Sequence, residues 1–367
     1  MKIIIRNCNV AELDIPLKYA TKLYNEFAIR HPNAFYLRTR QRGMQNWDGK
    51  IKYITKTGQF KIGLLPSVYK RCIELGIKPI IVDMRQPLPK VSKVVTQIGK
   101  YKLRPEQEKA VKAILSNKLG ETPFQIGVLD YTVNAGKTLI MSALYLSYKK
   151  QLKTLLITND SDWLNQARDE FKQYLPGEDI TFVQGKVLNW SNFTIGMVQS
   201  ISRNMKYYQN ELAKIDMVLI DEADQGGSKQ YQNVITRLFN TRVRIGLSGT
   251  IYMSKLAKDK VKNMNLRCFF GDVIAEFKLK DSIKKGYSTK TIVKTVEGKP
   301  WFGNWESDCM SYNEIYDDSI THNKIAWTMA LDRLKWNLNQ GRYPALVVCK
   351  HIAPVSYTHL TLPTTPY

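Results

Sequence analysis

From about residue 100 onward the chain predicts an α/β fold built on a mostly parallel sheet, and two features of the sequence predict it. Short apolar runs recur as IGVLDYT, TLLITN, FTIGMVQS, DMVLID and VRIGLSG. Amphipathic stretches such as TLIMSALYLSYKK, DWLNQARDEFKQYL and QYQNVITRLF separate them. Strands that alternate with helices in this way form parallel sheets covered on both faces. Such sheets bind ligands beyond the carboxyl ends of their strands.

Ahead of that sheet, residues 1–90 predict a small α+β unit. KIII and KPIIVDM read as strands, SVYKRCIELG as a helix, and FAIRHPNAFYLRTRQRGMQNWDGKIKYIT as further extended chain. QPLPK at 86–90 is a proline-punctuated linker. The parallel-sheet domain is expected over 91–274. Near Ile274 a second, shorter series begins, with TKTIVKTVE, a helix over HNKIAWTMALDRLKWNL and a strand in PALVVCK. It is expected to form an incomplete domain over 275–355. The last seventeen residues, HIAPVSYTHLTLPTTPY, hold no Asp, Glu, Lys or Arg. Residues 356–367 therefore read as a non-native tail, the alternative being a genuine Pro/Thr-rich one.

Composition sets the class of partner. Lys plus Arg is 55 and Asp plus Glu is 32, so 55 − 32 gives a net charge of +23. A polyanion is the natural partner for such a chain, because each phosphate contact releases counterions. The five cysteines have no zinc-ligand spacing, and their sparse, odd count suits reduced thiols in a cytosol. MKIIIRNCNV is too short an apolar start for a signal peptide, and no run reaches the length of a membrane span. The expected partner is nucleic acid, with no membrane, and the expected state is a monomer.

The chemistry concentrates in two stretches. DYTVNAGKTL at 130–139 holds the end of a phosphate-binding loop, with Tyr131 where the first glycine of G-x-x-x-x-G-K-[ST] would stand. A Gly-Lys-Ser/Thr triplet arises by chance in roughly one chain in five of this length, so its setting decides. That setting is strand, turn and helix, which aims backbone N–H groups at a phosphate. Lys137 would then pair with the β- and γ-phosphates, Thr138 would place its hydroxyl on Mg²⁺, and Gly136 would permit close backbone approach. DMVLIDEAD at 216–224 brings Asp221 and Glu222 to the end of a buried strand. Two adjacent acids are costly there unless a cation is present. Mg²⁺, held by Asp221 through water, answers that need, and Glu222 is placed to polarise an attacking water.

Ala-Gly-Lys-Thr at 135–138, Asp-Glu-Ala-Asp at 221–224 and Ser-Gly-Thr at 248–250, in that order, resemble motifs I, II and III of the superfamily 2 helicases. LRPEQEKAV at 103–111 resembles the segment upstream of motif I. The resemblance implies ATP contacts by Arg104, by Gln107 on the adenine edge, and by Asn134 and Ala135 in the loop. It implies that Ser248, Gly249 and Thr250 couple hydrolysis to domain movement. TLLITNDSDWLNQ at 154–166 resembles motif Ia, and FTIGMVQSI at 193–201 the next DNA-contact motif, with Gln199. PALVVCKHIA at 344–353 resembles motif IV. The implied architecture is a RecA-like parallel-sheet domain followed by a partial second RecA-like domain, preceded by a small α+β DNA-binding domain. That front part is similar to the UvsW-type phage helicases, which carry an Arg-rich stretch followed by Asn-Trp-Asp-Gly, here RTRQRGMQNWDGKIK at 38–52. Arg38, Arg40, Arg42, Lys50 and Lys52 alternate as strand positions do and suit phosphate contacts. Trp47 would either stack on a base or pack in the core. The resemblance implies an ATP- and Mg²⁺-dependent DNA helicase that remodels branched or forked DNA in phage recombination, replication or repair. The alternatives are a double-strand translocase without strand separation, or an ATP- and DNA-binding fragment with little turnover.

The sequence departs from the family in three places. Val133 and Asn134 replace the usual phosphate-loop residues; asparagine tolerates a left-handed turn, whereas β-branching keeps Val133 at negative φ. Asn159 and Asp160 stand where Pro-Thr is usual in motif Ia, and an acid there would repel a phosphate. Motifs V and VI, with their arginines, are not found.

Overall fold

Ile3 and Ile5 project to one side of a four-residue strand, and that strand sits inside a small mixed sheet. The strand is β1 (Lys2–Ile5), followed by β2 (Val10–Asp14), α1 (Leu17–Glu26), β3 (Ala28–Arg30), α2 (Ala34–Arg40), β4 (Lys50–Lys52), β5 (Gln59–Lys61), α3 (Leu65–Glu74) and β6 (Ile80–Asp83). The sheet order is β5-β2-β1-β6; β1 runs antiparallel to β2 and parallel to β6. The computed structural model describes residues 1–40, 43–185, 189–252, 257–290 and 323–341. These belong to two compact units, 1–290 and 291–367.

Two short hairpins, β7 (Gln97–Ile98) with β8 (Tyr101–Lys102) and β9 (Lys118–Leu119) with β10 (Thr122–Pro123), flank α4 (Pro105–Ser116). The large sheet follows. Its elements are β11 (Ile126–Tyr131), α5 (Lys137–Ser147), β12 (Thr154–Thr158), α6 (Ser161–Tyr174), β13 (Ile180–Val183), β14 (Phe193–Met197), α7 (Val198–Arg203), α8 (Met205–Leu212), β15 (Met217–Asp221), α9 (Lys229–Ile235), β16 (Val243–Ser248), α10 (Ala257–Phe270), β17 (Val273–Phe277) and α11 (Leu279–Lys284). The seven strands are ordered β13-β14-β12-β15-β16-β11-β17, and every recorded pairing is parallel. This is the doubly covered sheet expected of a RecA-like domain.

Every residue of β11, β12, β15 and β16 is buried. Alternate side chains supply two cores, as the strand period of two requires. Met217 and Leu219 join one cluster with Val111, Ile140 and Leu164 from α4, α5 and α6. Val218 and Ile220 join another with Ile3, Ile5, Leu23 and Leu64 of the small sheet's layer. Each such aliphatic burial contributes about 1.5–3 kcal/mol. The small amino-terminal part is thus one cover of the large sheet, sharing its core. Gly63 makes the approach possible, since a Cβ there would lie 2.1 Å from the Arg267 carbonyl oxygen.

Two expectations are corrected by these elements. The boundary drawn at 274 falls inside β17, which pairs with β11, and the first compact unit continues to Lys290. Residues 34–40, expected as extended chain, form α2. Ala, Leu and Arg favour helix, and the Thr39 hydroxyl donates back to the Phe35 and Tyr36 carbonyls. In the second unit the expected helix is present as α12 (Lys324–Asn339). TKTIVKTVE beyond Lys290, PALVVCKHIA and the terminal tail lie outside the described residues.

One buried cation ties the amino-terminal layer to the sheet. Arg244 on β16 is 1% exposed. It donates through Nη2 to the Cys8 carbonyl (2.8 Å) and Asn9 Oδ1 (2.9 Å), and through Nη1 to the Phe269 carbonyl (3.2 Å). Burial lowers its pKa to about 10, so it stays charged at neutral pH. We expect Arg244→Met to cost about 3 kcal/mol, because three acceptors lose a charged donor. The midpoint of urea unfolding measures this, and cleavage within residues 1–83 by limited proteolysis should accelerate. An unchanged midpoint would contradict the tether.

Candidate nucleotide site and nucleic-acid surface

Three neighbouring strands, β15, β16 and β11, deliver the sequence-predicted ATP-site residues to one edge of the sheet. Asp221 ends β15, Ser248 ends β16, and the 132–136 turn follows β11. Tyr131 occupies the position of the absent first glycine as a fully buried strand residue, and its hydroxyl donates to the Glu106 carbonyl (2.8 Å). A glycine there would leave a hole between β11 and α4.

The turn has the geometry that its residue types permit. Asn134 has φ of 63° and Gly136 φ of 73°, whereas the 70%-exposed Val133 is not among the positive-φ residues. Ala135 is buried, and Lys137 and Thr138 open α5. Lys137 Nζ lies 3.6 Å from Asp221 Oδ1 and 3.5 Å from Glu222 Oε1. Burial raises the pKa of Asp221 and of Glu222, with the Lys137 charge pulling each back. Asp221 is nearly buried and its Oδ1 has no hydrogen-bond donor. Glu222 is more open and holds a left-handed φ of 50°. A strained non-glycine residue at a strand end is a mark of functional sites.

An orphaned, buried carboxylate oxygen fits a hydrated Mg²⁺, and Thr138 starts the facing helix. Among the described residues no group of three or more His, Cys, Asp or Glu side chains could hold a metal. Mg²⁺ takes one or two carboxylates and completes its shell with water and phosphate.

Gln107 is hydrogen-bonded within the chain. Its Oε1 accepts from the Arg104 N–H (2.8 Å) and its Nε2 donates to the Ala135 carbonyl (2.9 Å). The amide braces the phosphate loop. Arg104 also reaches the loop, donating to the Asn134 carbonyl (3.1 Å), and its guanidinium lies 4.3 Å from the Tyr287 ring centroid. Around the third motif, Ser248 Oγ donates to Asp224 Oδ1 (3.2 Å) and lies 3.3 Å from Thr250 Oγ1, while Gly249 packs on the backbone of Tyr131 and Thr132. Neither Asp224 nor Tyr287 was among the sequence-predicted site residues. Asp224 was within reach as the last residue of Asp-Glu-Ala-Asp; Tyr287 carries no local signal.

The nucleic-acid candidates divide. Arg38 and Arg40 are exposed but helical, and two residues apart on a helix stand about 200° around its axis, so they share no face. Lys50 and Lys52 do share a strand face on β4, and Lys52 is engaged by Asp48 (3.2 Å) and the Tyr24 ring. Arg42 lies outside the described residues. Trp47 is half-buried; its Nε1 donates to the Lys50 carbonyl (2.9 Å), and its ring meets His31 edge-on. Phe35, 80% exposed on α2, and Tyr36 beside it are apolar surface that the sequence reading passed over. Gln199 opens the second turn position of α7 and donates to the Asn159 carbonyl (3.1 Å), joining the two expected DNA motifs. Asp160 is no phosphate contact at all: it caps α6, accepting from the Asp162 and Trp163 N–H groups.

The profile of the family described as "Type III restriction enzyme, res subunit" matches residues 100–253. The ATP-dependent DNA helicase uvsW of Enterobacteria phage T4 is 23% identical over 272 residues, covering 68% of this chain and 51% of that protein. The crystal structure of the UvsW helicase from bacteriophage T4 superposes with a TM-score of 0.59 at 20% identity, covering 75% of this chain and all of that one. The chain is thus similar to superfamily 2 helicases, among them those of UvsW type. A provisionally named ATP-dependent RNA helicase of Acanthamoeba polyphaga mimivirus is 26% identical over 147 residues, 40% of this chain and 27% of that protein. The chain spans about half, or less, of the length of the curated relatives it matches.

The brace on the phosphate loop is open to test. A Cβ at Gly136 would lie 2.3 Å from Gln107 Nε2, on a backbone already at positive φ. Gly136→Ala should cost about 1–2 kcal/mol from the backbone alone, and more from the collision. In a Gln107→Ala background only the backbone part should remain. Equal penalties in the two backgrounds, measured by denaturant unfolding, would refute the brace.

Proposed function

We propose that this chain carries the ATP-hydrolysing core of a DNA helicase or translocase that remodels branched or forked DNA. The observation that supports it best is the convergence of Lys137, Asp221, Glu222 and Ser248 on three adjacent strand ends. Without nucleotide, Lys137 neutralises the acidic pair. A triphosphate draws that ammonium to its β- and γ-phosphates, and the loop's backbone N–H groups complete the cradle. Thr138 and Asp221 would hold Mg²⁺, which when bound spreads the phosphate charge. Glu222 then accepts the proton of the attacking water, its carboxylate held outward by the left-handed turn. The Asp224–Ser248–Thr250 contacts run from the acidic turn to the next strand end, a route by which hydrolysis can be felt as movement.

The DNA half of the reading rests on the net charge of +23 and on the exposed Arg38, Arg40 and Lys50 of the amino-terminal layer. Preference for branches, and a place in phage recombination, replication or repair, follow from the UvsW resemblance. The protein acts as a monomer in the host cytoplasm in this reading.

Lys137→Ala should abolish DNA-stimulated ATP hydrolysis, and Glu222→Gln should lower it at least about a hundredfold while ATP still binds. Wild-type turnover in either variant would refute the assignment. The pKa of Glu222 lies above its ordinary value of 4.5, because burial outweighs the Lys137 charge. The base works only when ionised, so kcat/KM should fall as pH drops through that raised value. An acid limb at or below 4.5 would exclude Glu222 as the base. Comparison of forked with blunt duplexes tests the remodelling step. DNA affinity should also fall steeply between low and moderate salt, and a flat salt response would sink the polyanion reading.

A further inference from the structure

A cavity of about 770 Å³ in the first unit opens far from the nucleotide loop. Three of its wall residues mark its place. Gln125 immediately precedes β11, Arg242 immediately precedes β16, and Tyr148 follows α5. Each of these elements has its other end at the ATP site. A six-residue strand spans about 20 Å, so the cavity sits at the opposite edge of the sheet. The linker after β6 forms the outer wall, with Leu88 and Val91 facing in.

The charge inside that wall does not balance. The Arg85 side chain is 3% exposed and that of Arg242 is 8% exposed. They share one carboxylate: Asp83 accepts from Arg85 Nε and Nη2, both at 2.8 Å, and lies 3.3 Å from Arg242 Nη2. The remaining Arg242 bond goes to a neutral group, the Gln86 carbonyl (2.6 Å). The neighbouring thiol does not supply the second anion, because burial pushes Cys8 up in spite of Arg85, Arg244 and Arg242. Arg85 Nη1 and Arg242 Nε have no hydrogen-bond partner, and on the same wall the buried Gln125 Oε1 has none. Native proteins pair nearly all such atoms.

We propose that this cavity binds a small organic oxyanion, a phosphate ester or a carboxylate, between Arg85 and Arg242. Guanidinium forks suit either headgroup. The free Gln125 oxygen accepts a hydrogen bond from a donor on the ligand, and Leu88, Val91 and Tyr148 cover its apolar body. A volume of this size is within the ordinary range for metabolite pockets. The ligand would touch the linker and the far ends of the phosphate-loop helix and of two site-bearing strands. The site is independent of the ATP assignment above.

The test is thermal unfolding of Lys137→Ala protein, which weakens the competing phosphate loop, titrated with sodium phosphate or with sodium citrate. Sodium chloride at equal ionic strength is the control. We expect a saturable rise of several degrees at roughly a hundredfold excess over half-saturation. The salt that saturates at lower concentration identifies the headgroup. Adding Arg242→Gln should abolish the rise. Adding Val91→Trp should also abolish it, since that change fills the cavity from the linker and leaves both arginines in place, and it decides the matter if Arg242→Gln fails to fold. A rise that never saturates, or one that survives Val91→Trp, overturns the proposal.

Discussion

Arg244 is the constraint on which the arrangement of the first unit turns. Its guanidinium is sealed inside, and three acceptors from two segments converge on it: the Cys8 carbonyl and Asn9 Oδ1 of the turn after β1, and the Phe269 carbonyl at the end of α10. A charge in that position is tolerable only while all of them stay in place. The amino-terminal layer is therefore held in register with the large sheet, beyond what apolar contact between Ile3, Ile5 and Val218 would enforce. Apolar surfaces can slide; a buried fork with fixed acceptors cannot. The same strand ends in Ser248. The tether of the amino-terminal layer and the Ser248 contact with Asp224 thus lie at the two ends of one six-residue element.

Charge at the candidate nucleotide site is closely balanced. Asp221 and Glu222 are partly desolvated, and the single ammonium of Lys137 stands more than 3 Å from each. Burial dominates both carboxyl groups, so neither is comfortable as an anion. A triphosphate would remove the lysine, and that exchange is favourable only if a second cation arrives with it. In the proposed reading, a metal beside Asp221 Oδ1 would answer that charge balance. The left-handed backbone at Glu222 belongs to the same design, because it turns one carboxylate outward while its neighbour remains at the strand end.

How legible all this was depends on the range of the signal. The central strands announce themselves because coverage on both faces removes the need for polar residues. The phosphate loop and the acidic pair are contiguous in sequence, and the left-handed Asn134 follows from its residue type. Contacts made at long range were not legible. Gln107 is committed by the Ala135 carbonyl, which is remote in sequence, and Tyr287 meets Arg104 from beyond the last strand. Arg38 and Arg40 misled for a different reason. Arginines at every second position suggest a strand, yet α2 forms because Ala34, Leu37 and the arginines themselves favour helix, and basic side chains on a solvated surface tolerate either period. The boundary at 274 failed because β17 closes the sheet after the last recognisable motif.

Composition, finally, is a statement about amount and is silent on place. A net charge of +23 suggests a polyanion only if the charge lies outside. Three of the arginines do not: Arg85, Arg242 and Arg244 are buried near one another, with Asp83 the one carboxylate bonded to them. Arg244 is satisfied largely by carbonyl dipoles, so its charge is structural. Arg85 and Arg242 are paired with the chain that links the amino-terminal layer to the sheet. They fix where that linker runs, and the Arg242 bond to the Gln86 carbonyl holds it across the edge of the sheet. What is left for nucleic acid is the exposed set on α2 and β4, together with the lysines of the other surfaces. The basic character of this chain thus divides into an interior part that joins its layers and an exterior part free to meet phosphate. Only the exterior part should respond to salt.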